Sequence, residues 1–250
     1  LYGMPSYSGI DPTVLMAPFF FLFFGMCLGD GGYGLVLGAF LLYALLRYRL
    51  SGDTKNFFVL LLLGSISTVL VGALTGSWLG DMIDVFGIFA PIKSLKDSLV
   101  LIKPMDDPIT FLAIALGLGV VQILFGILIA FWDAFRKGDM MGAFADQGGW
   151  LALLVGFLLW GASSLGVGGG ATLFSGKALA AVGALTLVAT QGRDKPGVIR
   201  KVVSGVLSLY NVTSYLGDVL SYSRLLALGL ATSAIAMIGN TLTILVSGIP

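Results

Sequence analysis

Residues 221–232 read Ser-Tyr-Ser-Arg-Leu-Leu-Ala-Leu-Gly-Leu-Ala-Thr and place a single arginine, Arg224, inside an apolar run. A guanidinium stays protonated in proteins, so it cannot lose its charge to enter a bilayer. An arginine at the centre of a membrane helix costs about 2.5–3.5 kcal/mol on insertion scales and about 10–17 kcal/mol in simulations of an isolated helix. Arg224 is therefore the first candidate for a functional residue.

The composition of the whole chain is typical of a membrane protein. Hydrophobic residues make up 57% of the 250 residues and charged residues only 11%, whereas about 25% of residues are charged in soluble domains. Every acidic residue is Asp, and the chain contains neither Glu nor His, which removes most metal-site and general-base side-chain sets. One cysteine, Cys27, excludes a disulfide framework. We expect an all-α polytopic membrane protein with no metal and no cofactor.

The apolar stretches predict seven helices in a single transmembrane domain, since a span needs about 17–25 residues. The first stretch is too long for one span and contains Gly29-Asp30-Gly31-Gly32-Tyr33-Gly34, which favours a turn. We therefore predict a helical hairpin at the N-terminus and a long, tilted helix bearing Arg224 at the C-terminus. The predicted helices are 13–29, 33–47, 57–79, 109–132, 150–166, 178–191 and 204–248.

The basic residues of the connections predict the orientation of these helices. One side of the membrane would carry Arg47, Arg49, Lys55, Arg136, Lys137, Arg193, Lys195, Arg200 and Lys201, and the other only Lys93, Lys96, Lys103 and Lys177. By the positive-inside rule the richer side is cytoplasmic. With the hairpin, the chain also begins on that side. These scattered charges form no basic face for a nucleic acid.

From the residues alone, three explanations of Arg224 stay open. It is a functional cation, a partner in a salt bridge to Asp30 or Asp81 on another helix, or a side chain that extends to the membrane interface. Asp218 lies about 120° away around the helix and is poorly placed to pair with it. Small residues near its meridian, Gly217, Ser221 and Ala231, indicate that another helix passes closely.

Two motifs carry a resemblance to a known family. Residues 215–232, Tyr-Leu-Gly-Asp-Val-Leu-Ser-Tyr-Ser-Arg-Leu-Leu-Ala-Leu-Gly-Leu-Ala-Thr, resemble the arginine-bearing helix of subunit a (subunit I) of prokaryotic V/A-type rotary ATPases. Residues 23–34, Phe-Phe-Gly-Met-Cys-Leu-Gly-Asp-Gly-Gly-Tyr-Gly, resemble the first hairpin of that family. The resemblance implies an eight-helix membrane domain behind a cytoplasmic domain, so we expect that domain before residue 1 and the last helix, with a second arginine, beyond residue 250.

The resemblance also implies a function. Arg224 would face the mid-membrane carboxylates of a rotor ring, between two half-channels that lead ions to and from the ring. The candidate half-channel residues are Asp30, Tyr33, Asp81, Gln122, Asn211, Ser214, Tyr215, Asp218, Ser221, Thr232, Ser233 and Asn240. The chain itself would have no catalytic site; it would belong to a proton- or sodium-translocating ATPase or ATP synthase.

The implied partners are the ring of small membrane subunits, the peripheral stalk and central rotor subunits, and the lipid bilayer of a prokaryotic plasma membrane. A function of another class also stays open. In a secondary transporter, Arg224 would bind an anionic substrate, and broken helices in repeated halves would be the sign of that fold.

Overall fold

The computed structural model describes residues 12–85, 90–138, 140–164, 169–190 and 198–247. Within these ranges the chain is almost entirely helical and contains no strand, which confirms the predicted all-α fold. The helices are α1 Pro12–Leu28, α2 Gly31–Arg47, α3 Gly52–Thr75, α4 Met82–Val85, α5 Ala90–Leu99, α6 Pro108–Arg136, α7 Gly148–Ser164, α8 Gly170–Thr190, α9 Val198–Leu209, α10 Asn211–Ser221 and α11 Ser223–Ser247. A π-helical turn, Gly142–Gln147, leads into α7.

Five helical stretches of the described chain are long and apolar enough to cross a membrane: Gly52–Thr75, Pro108–Arg136, Gly142–Ser164, Gly170–Thr190 and Val203–Val246. The helices Thr13–Leu28 and Gly31–Arg47 meet the same criterion only as a pair, and the chain turns by 118° between them. The break falls at Gly29 and Asp30, where Gly29 adopts a positive φ of 61°. These spans identify a multi-pass membrane protein.

Several helix ends differ from those predicted. α3 stops at Thr75 rather than at 79, because Gly76 takes a left-handed conformation with φ 73° and ends the helix. The predicted final helix, 204–248, comprises three segments that are separated by turns at Tyr210 and Tyr222. The connection between the predicted helices 57–79 and 109–132 includes the helix α5. The basic residues Arg193 and Lys195 lie outside the described residues.

The described chain divides into two compact units, and each is considered by itself. The first, residues 118–220, has a core of Ile127, Trp150, Leu153, Ala180 and Leu187. Its helices α7 and α8 touch through glycines: a Cβ on Gly156 would lie 2.4 Å from the Ala180 nitrogen, and one on Gly183 would lie 2.5 Å from the Leu153 nitrogen. Small residues of this kind let membrane helices approach to backbone contact.

The second unit, residues 12–117 and 221–247, contains α1, α2, α3 and α11. α1 and α3 run parallel, because the Ser67 hydroxyl donates to the Phe21 carbonyl and Thr75 lies beside Gly29. α11 also runs parallel to α1: the rings of Tyr222 and Phe23 are 4.9 Å apart, and a Cβ on Gly229 would lie 3.1 Å from the Met26 carbonyl oxygen. α2 returns beside α3.

Candidate functional site

Arg224 lies in the first turn of α11, and its side chain is exposed. Its guanidinium donates a hydrogen bond to the Ser221 hydroxyl, three residues earlier. The ion pairs found among the described residues involve Asp84 and Asp133 and none involves Arg224. The predicted alternative of a salt bridge to Asp30 or Asp81 is therefore not the arrangement in this structure.

An exposed apolar stripe runs along α11 from Arg224. At about 100° per residue, five further side chains fall within about 40° of the Arg224 meridian. All five are exposed in the isolated chain, and they are Leu228, Ala231, Ile235, Ile238 and Leu242. We call these five residues with Arg224 the arginine stripe.

The opposite face of α11 is anchored. Gly229, Ser233, Ala236 and Asn240 lie about 120–180° around the helix from Arg224. Gly229, Ser233 and Ala236 are buried, and Asn240 is partly buried. The helix thus has one face packed within its unit, while its charged face is left open.

Asp30 lies at the centre of this packing. It is fully buried, with 0% of its surface exposed, and it forms the N-cap of α2 by accepting hydrogen bonds from the backbone N–H groups of Gly32 and Tyr33 at 2.9 and 3.3 Å. The segment after α3 supplies three more donors. They are the Ser77 hydroxyl at 2.7 Å, the Leu79 N–H at 2.8 Å and the Gly80 N–H at 2.7 Å. Five donors surround this one carboxylate.

Two residues of α11 extend this arrangement. The hydroxyl oxygens of Ser233 and Ser77 are 3.0 Å apart. Because the single Ser77 proton is given to the Asp30 carboxylate, Ser233 is the donor in this pair. Two helical turns after Ser233, the Asn240 amide donates to the Leu79 carbonyl and to the Asp81 carboxylate, both at 2.8 Å. We call Asp30, Ser77, Leu79, Gly80, Asp81, Ser233 and Asn240 the Asp30 network.

The loop inside the Asp30 network has an unusual backbone. Leu79 adopts a positive φ of 49°, the only such value for a non-glycine residue in the described chain. A branched side chain is strained in that conformation and persists there only where its surroundings hold it. The Leu79 N–H is bound by Asp30 and its carbonyl by Asn240, so the strained residue is held through the peptide groups on both of its sides.

No family model matches the chain, but curated relatives do. It is 34% identical to the A-type ATP synthase subunit I of Pyrococcus horikoshii, over all of this chain and 36% of the relative. It is 33% identical to the A-type ATP synthase subunit I of Methanothermobacter thermautotrophicus, over 97% of this chain and 33% of the relative. The V-type ATP synthase subunit I of Borreliella burgdorferi is 28% identical, over 98% of this chain and 40% of the relative.

The chain is similar to the subunit I proteins of A-type and V-type ATP synthases. The similarity extends over nearly its whole length and bears out the resemblance seen in the two motifs. The chain spans about a third to two fifths of the length of these relatives.

The structure brings together four of the predicted site residues, Asp30, Asp81, Ser233 and Asn240, in the Asp30 network. The Ser221 hydroxyl accepts the hydrogen bond from Arg224, and the Thr232 hydroxyl donates to the carbonyl of Leu228 on its own helix. Tyr33 is partly buried and joins the network only through its backbone N–H.

The other predicted site residues belong to the unit 118–220. Asn211, Ser214 and Asp218 are exposed on α10, and Gln122 is partly buried on α6. The Tyr215 ring packs against Trp150, with centroids 5.1 Å apart, so its ring serves the core of that unit.

A polar cavity of about 170 Å³ adjoins the Asp30 network. Its lining includes Ser77, Asp81, Asp84, Lys96, Lys103, Asp106 and Ser233. Burial alone would raise the pKa of the Asp84 carboxyl, but the hydrogen bond and charge of Lys96, with the charge of Lys93, hold this pKa below its ordinary value. Lys96 is itself buried, so its stem is packed while its ammonium is paired.

The sequence patterns did not indicate Ser77, Leu79 and Gly80 as site residues. The run Gly76-Ser77-Trp78-Leu79-Gly80-Asp81 does carry a turn signal. Two glycines, a serine and an aspartate within six residues are typical of a turn rather than of a helix end. The apolar residues Trp78 and Leu79 masked that signal.

Proposed function

We propose that this chain is the ion-translocating membrane part of the stator in a rotary A/V-type ATP synthase, and that Arg224 faces the carboxylates of a rotor ring. The observation that carries the proposal is the state of Arg224. It is an exposed cation with no carboxylate partner among the described residues, at the head of an exposed apolar stripe. A partner that supplies a carboxylate and an apolar helix surface would satisfy both features.

The chemistry follows from placing a permanent cation beside a titratable carboxylate. A guanidinium close to a carboxylate lowers the pKa of that carboxylate, so an arriving ring carboxylate would release its proton. Lysine would serve less well, because it can lose its own proton when it is desolvated. The same charge would oppose direct passage of cations past it. Each elementary charge moved across the membrane is worth about 2.3 kcal/mol per 100 mV.

Polar residues on either side of Arg224 in the chain are the candidates for the two half-channels. Exposed Asn211, Ser214 and Asp218 precede it on α10, next to Ser221. Thr232 follows it on α11. The polar cavity lined by Asp81 and Ser233 would supply water close to the middle of α11. Tyr33, Gln122 and Tyr215, whose side chains are partly buried, are further candidates.

The proposal includes the other partners that the family implies, namely the peripheral stalk and the central rotor subunits, and a prokaryotic plasma membrane. The names of the relatives support work within an ATP synthase complex. The chain would contribute no catalytic site to the synthesis or hydrolysis of ATP.

The test is ATP-driven ion pumping by the complex, assembled with the full-length subunit and reconstituted into vesicles. Arg224→Ala should abolish pumping while the complex still assembles, and Arg224→Lys should lose most of it. Arg136→Ala is the matched control, because Arg136 is exposed in the last turn of α6 and should pump normally. Normal pumping by Arg224→Ala would overturn the proposal. Substrate-dependent transport of an anionic solute without a ring would favour the secondary transporter.

A further inference from the structure

We propose that the Asp30 network is a positioning device: it fixes the height and rotation of α11, and through them the place of Arg224. Asp30, Ser77, Ser233 and Asn240 are then positioning residues that need not contact the translocated ion. The importance of placing Arg224 rests on the function proposed above, whereas the fixing of α11 rests on the contacts alone.

The network holds α11 at two points on one face. Ser233 and Asn240 are seven residues apart, which is about 10 Å along the helix axis. Both bond to the same short segment, Ser77 through Asp81. One anchor would fix the height of a helix but leave it free to turn. Two anchors on the same face fix height and rotation together.

The segment that holds α11 is itself held by Asp30. Both carboxylate oxygens are used: one accepts from Gly32, Tyr33 and Leu79, and the other accepts from Ser77 and Gly80. A buried network strengthens its own hydrogen bonds, and leaving one donor without a partner is costly. Removing the acceptor at the centre should therefore release the whole segment rather than one contact.

Backbone packing adds to the hydrogen bonds. A Cβ on Gly80 would lie 2.8 Å from the Met237 nitrogen, and Gly80 has a positive φ of 71°. The strained Leu79 is bound on one side by α2 through Asp30 and on the other by α11 through Asn240. Strain of this kind persists where several contacts fix one conformation, which is what a device that sets a register requires.

The anchored points determine where Arg224 lies because α11 is one continuous helix from Ser223 to Ser247. Ser233 is nine residues beyond Arg224, which places it about 13 Å along the axis and about 180° around the helix. The hydrogen bonds thus hold the buried face of α11, and Arg224 lies on the opposite, exposed face. A slip of one residue at Ser233 would turn Arg224 by about 100° and shift it by about 1.5 Å.

The test is a distance measured within the full-length subunit in the assembled complex. Spin labels replace Leu70 on α3 and Thr243 on α11, both exposed and both outside the arginine stripe, in a background without other reactive cysteines. Pulsed EPR then reports the position of α11 relative to α3. Ser233→Ala and Asp30→Asn should shift or broaden the distance distribution by about 1.5–5 Å, between one residue and one turn of slip.

Two variants provide controls. Ser233→Thr keeps a hydroxyl at the same place and should restore the native distance. Thr241→Ala removes a hydroxyl that is exposed on α11 and bonds only its own helix, at the Met237 carbonyl, so it should change nothing. Asp30→Asn keeps the shape of the side chain but turns an amide donor toward N–H groups that now bind a carboxylate oxygen. Ser233→Ala is the milder change, and it tests the positioning role by itself if the complex with Asp30→Asn does not assemble.

The pumping assay completes the design. Ser233→Ala should lower the number of ions pumped per ATP at least threefold, and Ser233→Thr should restore it. Unchanged distances in Ser233→Ala, whether or not pumping falls, would overturn the positioning role. A shifted distance together with normal pumping by Arg224→Ala would retain the positioning role and reject the proposed function.

Discussion

The two units of this chain hold their helices together by different interactions. In the unit 118–220, α7 and α8 meet glycine against backbone, around an apolar cluster. In the other unit, the helices meet around a fully buried carboxylate with five donors. Lipid tails are as apolar as leucine, so neither unit gains from the hydrophobic effect between helices as a soluble protein would. Van der Waals contact tolerates small displacements, whereas directional hydrogen bonds define one register, and Arg224 belongs to the unit with defined register.

The largest effect is expected where the two kinds of contact coincide. A Cβ on Gly72 would lie 2.0 Å from the Gly31 nitrogen and 2.9 Å from the Asp30 carbonyl carbon. Because these atoms are backbone, they cannot move aside without parting α2 from α3, so Gly72→Ala should destabilise the protein by about 3 kcal/mol or more. The measurement is thermal unfolding of the full-length subunit in the complex. Gly117→Ala, with no atom within 4 Å of its Cβ, should be nearly neutral; equal losses in the two variants would contradict this account.

A smaller effect is expected from the glycine contact of the other unit. Gly156→Ala should cost about 1–3 kcal/mol, since α7 and α8 can separate slightly without breaking a buried hydrogen bond. Gly161→Ala on the same helix has no atom within 4 Å of its Cβ and is the control. The EPR distance between α3 and α11 should stay native in both. A shift of that distance in Gly156→Ala would show that register in the second unit depends on packing in the first.

The smallest effect concerns the ion pair beside the polar cavity. Asp84→Asn should lower the free energy of unfolding by about 1–2 kcal/mol near neutral pH, because it leaves the buried Lys96 ammonium without its partner while Asp84 itself is well exposed. Asp133→Asn breaks the more exposed pair with Lys137 on α6 and should cost less than about 0.5 kcal/mol.

The difference in stability between the native protein and Asp84→Asn depends on pH with a defined sign. The pKa of Asp84 in the folded protein lies below its ordinary value of 3.8, so the pair contributes stability above that pH and loses it as the pH falls through the lowered pKa. Thermal unfolding of native protein and Asp84→Asn should therefore converge in acid. A difference that grew toward low pH would contradict the cause assigned to the shift.

Composition and motif were enough to predict the helical membrane fold and to select Arg224, since a charge in an apolar run is costly wherever the helix packs. Asp30 was selected as a half-channel candidate through the family resemblance, but its surroundings could not be predicted. Four of its five donors are backbone N–H groups. Every residue except proline has such a group, so the sequence does not show which ones reach Asp30 until the conformation of the turn is known.

The helix interruptions escaped prediction for a related reason. Tyr210 and Tyr222 are residues that a helix accepts, and neither has Gly or Pro beside it. A break of this kind is decided by tertiary contacts, such as the ring pair of Tyr222 and Phe23, rather than by local propensity. The missed segment 76–81 differs, because its glycines and serine did carry a turn signal that Trp78 and Leu79 obscured.

The direction of hydrogen-bond donation, from Ser233 through Ser77 to Asp30, has a consequence for proton transfer along this network. A chain of hydroxyls relays protons only if each member can reverse its hydrogen bond and the last acceptor can pass a proton on. Here Ser77 is turned toward the carboxylate, and the carboxylate is surrounded by amide N–H groups that cannot rotate. The series of hydroxyl groups therefore ends at Asp30, and we expect this network to hold helices in place without relaying protons.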